Sequence, residues 1–124
     1  MTREELLRHV GEEYGVEPEY TFKGDADSAV LRRPGSGRWF GLLMRVPRAT
    51  LGLAGEGRTE ILNVKADPLL VAALRGQPGF LPAYHMNKTH WLTVLLDGPA
   101  TDEQILGLLS ESWGRTRPRL RRPV

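Results

Sequence analysis

Four residues, Pro34-Gly35-Ser36-Gly37, separate two runs that both read as strands. Ser28–Arg33 centres on Val30 and Leu31, and Arg38–Val46 (RWFGLLMRV) follows the turn cluster. Two strand-like runs joined by so short a Gly/Pro-rich loop predict a β-hairpin. Pro47 ends its second strand because proline has no ladder donor. A hairpin buries one face only against something else, so the rest of the chain has to supply further strands or helices to cover it.

It supplies both. Thr59–Ala66 (TEILNVKA) alternates, with Ile61 on one face and Leu62 and Val64 on the other, and reads as a third strand. Trp91–Leu96 (WLTVLL) is nearly continuous in apolar residues, the pattern of an interior strand covered on both faces. Thr2 with Glu5 forms a capping box for a helix over 3–14, whose apolar face is Leu6, Leu7, Val10 and Tyr14 and whose stop is Gly15. Asp67-Pro68 starts a second helix, with Leu69, Leu70, Ala73 and Leu74 as its buried stripe and Gly76 after its end. Thr101 with Gln104 opens a third, carrying Ile105, Leu106, Leu108, Leu109 and Trp113 and ending at Gly114. Residues 16–27, 47–58 and 77–82 read as connectors. The order α-β-β-β-α-β-α predicts an α+β fold, an antiparallel sheet of about four to five strands with helices packed on one face.

At 124 residues the chain is the length of one domain. Residues 1–114 are read as that domain. Residues 115–124, RTRPRLRRPV, combine five arginines with two prolines and read as a disordered tail. The absence of cysteine excludes disulfides, a thiol nucleophile and a cysteine-ligated zinc. No run is apolar enough for a membrane span, and the charged start MTREELLRHV lacks a signal-peptide core, so a cytoplasmic, non-membrane protein is expected. The net charge of +2 is unevenly laid out: residues 1–31 are net −5, residues 32–90 net +6, residues 91–114 net −4 and the last ten net +5. That layout excludes a uniformly basic surface and leaves a polarised one, basic on the central elements and the tail.

Chemistry-bearing residues crowd into one stretch, Pro78–Gly98 (PGFLPAYHMNKTHWLTVLLDG). On a loop fixed to a buried strand, Lys88 suits a phosphate, Asn87 a base edge or phosphate, and Tyr84, His85, His90 and Trp91 a stacked base. The same residues equally suit a structural loop, with Asn87 and His85 bonding neighbouring backbone while Met86 and Trp91 pack. His85 and His90, five apart, fit no single helix or strand face, so no metal site is expected. No nucleophile, base and orienting group can be read together, so no catalytic residues are assigned and an enzyme ranks last. Arg38, Arg45, Arg48, Arg58 and Lys65 make the central zone basic, either as an anion-binding face or as solvated charge. Lys65 stands just before the Asp67-Pro68 helix start, an end that favours anions although Asp67 competes for it. Arg115, Arg117, Arg119, Arg121 and Arg122 add five cations, enough for a log–log salt slope of about −4 to −5 if all met phosphate.

Four segments match one family pattern in order: PEYTF (18–22) with DSAVLRR (27–33), WFGLLMRVP (39–47), EILNVKADP (60–68) and GFLPAYHMNKTHWLTVLLDG (79–98). The chain thereby resembles the MmcQ/YjbR family of small bacterial proteins over roughly residues 14–113. The resemblance implies a compact α+β fold of the frataxin-like or double-wing kind and a DNA-binding role, and it brings no reaction or cofactor with it. The leading expectation is a non-enzymatic DNA-binding protein using the basic central strands, the Tyr84–Trp91 loop and the arginine tail. The alternative is a protein-interaction or small-ligand domain with the same loop as its pocket rim.

Overall fold

The computed structural model describes residues 1–119. Helix α1 (Arg3–Tyr14) is followed by β1 (Ala29–Arg32), β2 (Trp39–Pro47), a 3-10 turn (Arg48–Leu51) and β3 (Arg58–Lys65). Then come α2 (Pro68–Leu74), β4 (Phe80–Pro82), β5 (Trp91–Leu95) and α3 (Asp102–Arg115). All strand pairs are antiparallel, in the order β1-β2-β3-β5-β4. The predicted α+β architecture and the hairpin are present. β5 is interior, as its unbroken apolar run implied.

Both capping boxes form. Thr2 exchanges hydrogen bonds with Glu5, and Thr101 with Gln104. Leu6 and Val10 of α1, Val71 of α2 and Ile105, Leu108 and Leu109 of α3 pack on Leu31, Leu43, Leu62, Val64, Leu92 and Val94 of the sheet. The fully buried leucines and valines among them contribute about 1.5–3 kcal/mol each. Ile61 lies in a separate cluster on the opposite face with Val46 and Leu95, covered by Leu51, Leu53 and Tyr84. The alternation read along β3 is thus the division between the two faces. For brevity, the face away from the helices is called the outer face.

Five local expectations are corrected. Within α2 the stripe is Leu70, Val71 and Leu74, while Leu69 is 82% exposed and Ala73 is also on the solvent side. Val71 rather than Leu69 is the residue by which the short α2 joins the core. Residues 77–82, read as a turn, contain edge strand β4, which pairs with β5 through Phe80, Leu81 and Pro82. Segment 47–58 holds a 3-10 turn closed by hydrogen bonds from Leu53 N–H to Arg48 O and from Arg48 N–H to Gly57 O. Helix α3 passes Gly114 and ends at Arg115, whose guanidinium bonds Glu111 at 2.8 Å and Asp67 at 3.0 Å. The next residue, Thr116, is fully buried, so the domain runs beyond position 114.

Where β2 and β3 diverge, α3 inserts a side chain between them. Ser112 Oγ accepts the Lys65 N–H at 2.9 Å and donates to the Phe40 carbonyl at 2.6 Å. It is fully buried, and its hydroxyl replaces a ladder bond that the strands no longer make.

Candidate functional site

Strand register sorts the candidate residues between two ends of the sheet. Arg45 pairs with Glu60 and Pro47 with Arg58, which puts Arg45, Arg48 and Arg58 at one end. At the other end β2 begins at Trp39, β3 finishes at Lys65 and β5 begins at Trp91. The basic central zone expected as one surface is therefore two. Antiparallel pairing sends residues 45–48 and 65 to opposite ends.

At the first end the arginines are occupied. Arg45 bonds Glu60 through Nε at 3.1 Å and Nη2 at 2.8 Å, and Arg3 of α1 grips the same carboxylate from 3.0 to 3.2 Å. The Glu60 hydrogen bonds hold the Arg45 guanidinium above its usual range, which leaves its charge committed. Arg48 Nε donates to the Ala54 carbonyl at 2.7 Å and shapes the following loop.

At the second end, Lys65 stands directly opposite Trp91 in register. Both share the outer face with Ile61 and Asn63 by alternation. Trp39 lies next along, its ring 6.1 Å from Phe22 in an edge-to-face arrangement. Arg38 is exposed in the hairpin loop just before it, and His90 is exposed just before Trp91. The chain leaving α3 passes the same hairpin: a Cβ on Gly35 would come within 3.1 Å of the Pro118 ring. That brings exposed Arg117 and Arg119 to this end. Arg115 belongs to the fold instead, tied to Glu111 and Asp67. Arg121 and Arg122 lie outside the described residues. The α2 N-terminus near Lys65 is filled, because Asp67 accepts the Leu69 N–H at 2.8 Å and pairs with Arg115. Lys65 therefore offers its own charge only.

The Tyr84–Trp91 loop begins on the outer face, where Tyr84 packs, and reaches α2 at Lys88 and Thr89. Tyr84 N–H donates to Thr93 Oγ1 at 2.9 Å, and its carbonyl accepts from Asn63 Nδ2 at 3.3 Å. The Thr93 hydroxyl in turn bonds Asn63 Oδ1, so a buried polar pair at the sheet centre anchors the loop. Asn87 Oδ1 accepts the N–H groups of Thr89 and His90 at 2.9 and 3.0 Å, the structural use of asparagine foreseen from sequence. Lys88 Nζ donates to the Ala83 carbonyl at 3.0 Å and closes the loop on its own start. His85 takes φ 58°, the left-handed region, and stacks on Tyr84 with ring centres 4.0 Å apart. Met86 and Trp91 are half-buried. Among the described residues no three His, Asp or Glu side chains converge as ligands.

Two clefts flank the stacked pair. One, of about 220 Å³, runs past Leu51, Leu81 and Lys88. The other, of about 440 Å³, is bounded by Phe22, Lys23, Asp25, Asp27, Met44 and Arg58. Phe22, Lys23, Asp25 and Asp27 were not singled out from sequence, where residues 16–27 read only as a connector. The available signal was Tyr20 and Phe22, apolar rings in an otherwise acidic segment, which are 53% and 40% exposed. Among the described residues, no helix is long and apolar enough to cross a membrane.

The YjbR family profile matches residues 12–115. The uncharacterized Bacillus subtilis protein YyaQ is 37% identical over 94% of this chain and 99% of its own length. The uncharacterized Escherichia coli protein YjbR is 42% identical over 42% of this chain and 45% of its own. A Pseudomonas syringae crystal structure superposes with a TM-score of 0.91 at 38% identity, covering 94% of this chain and 100% of that one. A Deinococcus radiodurans crystal structure with a DUF419 domain superposes with a TM-score of 0.68 at 28% identity, covering 91% of this chain and 77% of that one.

Proposed function

The chain belongs to the YjbR family, and from that premise we propose that it is a non-enzymatic, cytoplasmic DNA-binding protein. Its contact surface is the end of the sheet where β2 begins and β3 finishes. One observation carries the reading: Lys65 stands opposite half-buried Trp91 on the outer face, at the end of the sheet where β2 begins at half-buried Trp39 and where Arg38, Arg117 and Arg119 emerge. Among the described residues these four cations enter no ion pair. Cations interleaved with aromatic rings suit a nucleic-acid backbone together with stacked bases. Arg45 and Arg115 are outside this surface because their charges are committed within the fold, and Arg48 because strand register carries it to the opposite end. Asn87 and His90 adjoin it through backbone hydrogen bonds to Trp91 and Ala66, while Tyr84, His85 and Lys88 line clefts outside it.

Fluorescence anisotropy with short labelled DNA, single-stranded and duplex, over a salt series tests the reading. Expected is binding that weakens as salt rises and weakens again in the Arg38→Ala/Lys65→Ala double variant. Undetectable binding at low salt overturns the proposal. So does binding that survives the double variant unchanged.

A further inference from the structure

The geometry points to a small-molecule site in the 440 Å³ cleft, one that takes a planar aromatic ring bearing a single carboxylate or phosphate. It is separate from the DNA surface proposed above, because it uses neither Arg38 nor Lys65. The volume lies within the ordinary range of ligand pockets. One wall is the stacked Tyr84–His85 pair, which presents flat π surface; exposed Phe22, packed edge-on against Trp39, adds another ring to the lining. Met44 and Val46 give it an apolar floor. A ring between such walls gains by offset stacking and by leaving water.

The charges select an anion. Two ionised groups lining the cleft, Asp25 and Arg45, already have partners in the fold. Asp25 accepts hydrogen bonds from the N–H groups of Asp27 and Ser28, both at 3.0 Å, and from the Ser28 hydroxyl. Arg45 is held by Glu60, and the Asp27 carboxylate adds to the field that keeps Arg45 charged. Glu60 itself is shared with Arg3. Lys23 and Arg58 enter no ion pair among the described residues, although Arg58 also acts on Asp25 and the Asp27 carboxylate shares the lining, so the guanidinium of Arg58 is the group offered to an anion. Arg58 opens β3 at the cleft edge, and its guanidinium is able to grip a carboxylate or phosphate in two places. A second observation points to the same spot. His85 holds a left-handed backbone that a side chain seldom adopts, and that conformation places its ring between the two clefts.

The test is an amide-resolved NMR titration of the full chain with phenyl phosphate and benzoate, and with benzyl alcohol as the uncharged control. Expected are saturable shifts at Phe22, Arg58, Tyr84 and His85 with both anions, and weaker binding of the alcohol. Arg58→Met should lose ~10-fold in affinity for the anions, the scale of one charge-assisted hydrogen bond. Phe22→Ala, a change at an exposed ring, should weaken all three probes, and Arg38→Ala should change none. Shifts that do not saturate, equal affinity for benzyl alcohol, or affinities unchanged in both Arg58→Met and Phe22→Ala overturn the assignment. The Arg58→Met result separates this site from DNA binding, which is read with the Arg38/Lys65 variant; Phe22 packs on Trp39, so its variant is read only on the small-molecule probes.

Discussion

Ser112 of α3 accepts the backbone N–H of Lys65 at 2.9 Å, so a helix side chain terminates a strand that lies beneath it. The same hydroxyl donates to Phe40 of the neighbouring strand. Ser112→Ala removes one atom and leaves two buried backbone groups without partners. The expected cost is about 1–3 kcal/mol of stability, measured from urea unfolding midpoints. Ser112→Thr retains the hydroxyl, and any loss it shows reports only the extra methyl.

Lys65 and Arg38 meet phosphate in the proposed complex, so each alanine variant should flatten the log–log dependence of affinity on salt by about 0.7–0.9 per contact removed. Arg45→Ala is the contrasting variant. It should leave the slope unchanged, because its guanidinium is committed to Glu60. Parallel titrations across one salt series separate these outcomes.

Acid should weaken the fold through Asp25. The Ser28 hydroxyl holds its carboxyl below the usual range, partial burial opposes that, and the Asp27 and Ser28 N–H groups add to the lowering. A depressed native pKa stabilises in full above the unfolded value of about 3.9 and loses that contribution as pH falls through the lower native value. Wild type should therefore be more stable than Asp25→Asn at neutral pH. The gap should narrow below about pH 4, as read from denaturant midpoints at each pH.

At position 85 the backbone decides what is tolerated. The left-handed φ of 58° suits glycine or asparagine and penalises a β-branched residue. His85→Val should cost about 1–2 kcal/mol. His85→Gly should stay within roughly 0.5 kcal/mol of wild type, relief of backbone strain offsetting the lost stacking on Tyr84. Thermal melts of the two variants give the comparison.

Gly41 faces Leu31 across the β1–β2 ladder, where an added Cβ would come 2.8 Å from Leu31 Cδ1. Gly41→Ala should cost about 1–3 kcal/mol through overpacking. Leu31→Val in the same background should recover part of that loss in calorimetry.

Much of the fold was legible wherever side-chain period and turn chemistry agreed. The alternation of Ile61 against Leu62 and Val64, the Pro34–Gly37 turn and the two capping boxes each named their element. β4 escaped because Phe80-Leu81-Pro82 is three residues long and sits among glycine and proline, so it is a strand only through pairing with β5. Leu69 was misplaced because seven residues do not fix a helical phase; the docking of Val71 does. The split of the basic zone was hidden for a different reason. Sequence proximity of Arg45, Arg48 and Lys65 says nothing about which end of an antiparallel sheet each will occupy. In the loop, the backbone-bonding role of Asn87 was legible from its residue type. The cleft beside His85 was not, because residues 22–27 reach it only through the tertiary fold.

Glu60 is clasped by Arg45 from the adjacent strand and by Arg3, 57 residues earlier in the chain. That double grip has a kinetic meaning. A helix of twelve residues such as α1 is marginal by itself, and its anchor is completed only when β2 and β3 have paired. Docking of α1 after β2 and β3 have paired predicts that Glu60→Gln quickens unfolding far more than it slows refolding, as read from the two arms of a chevron plot.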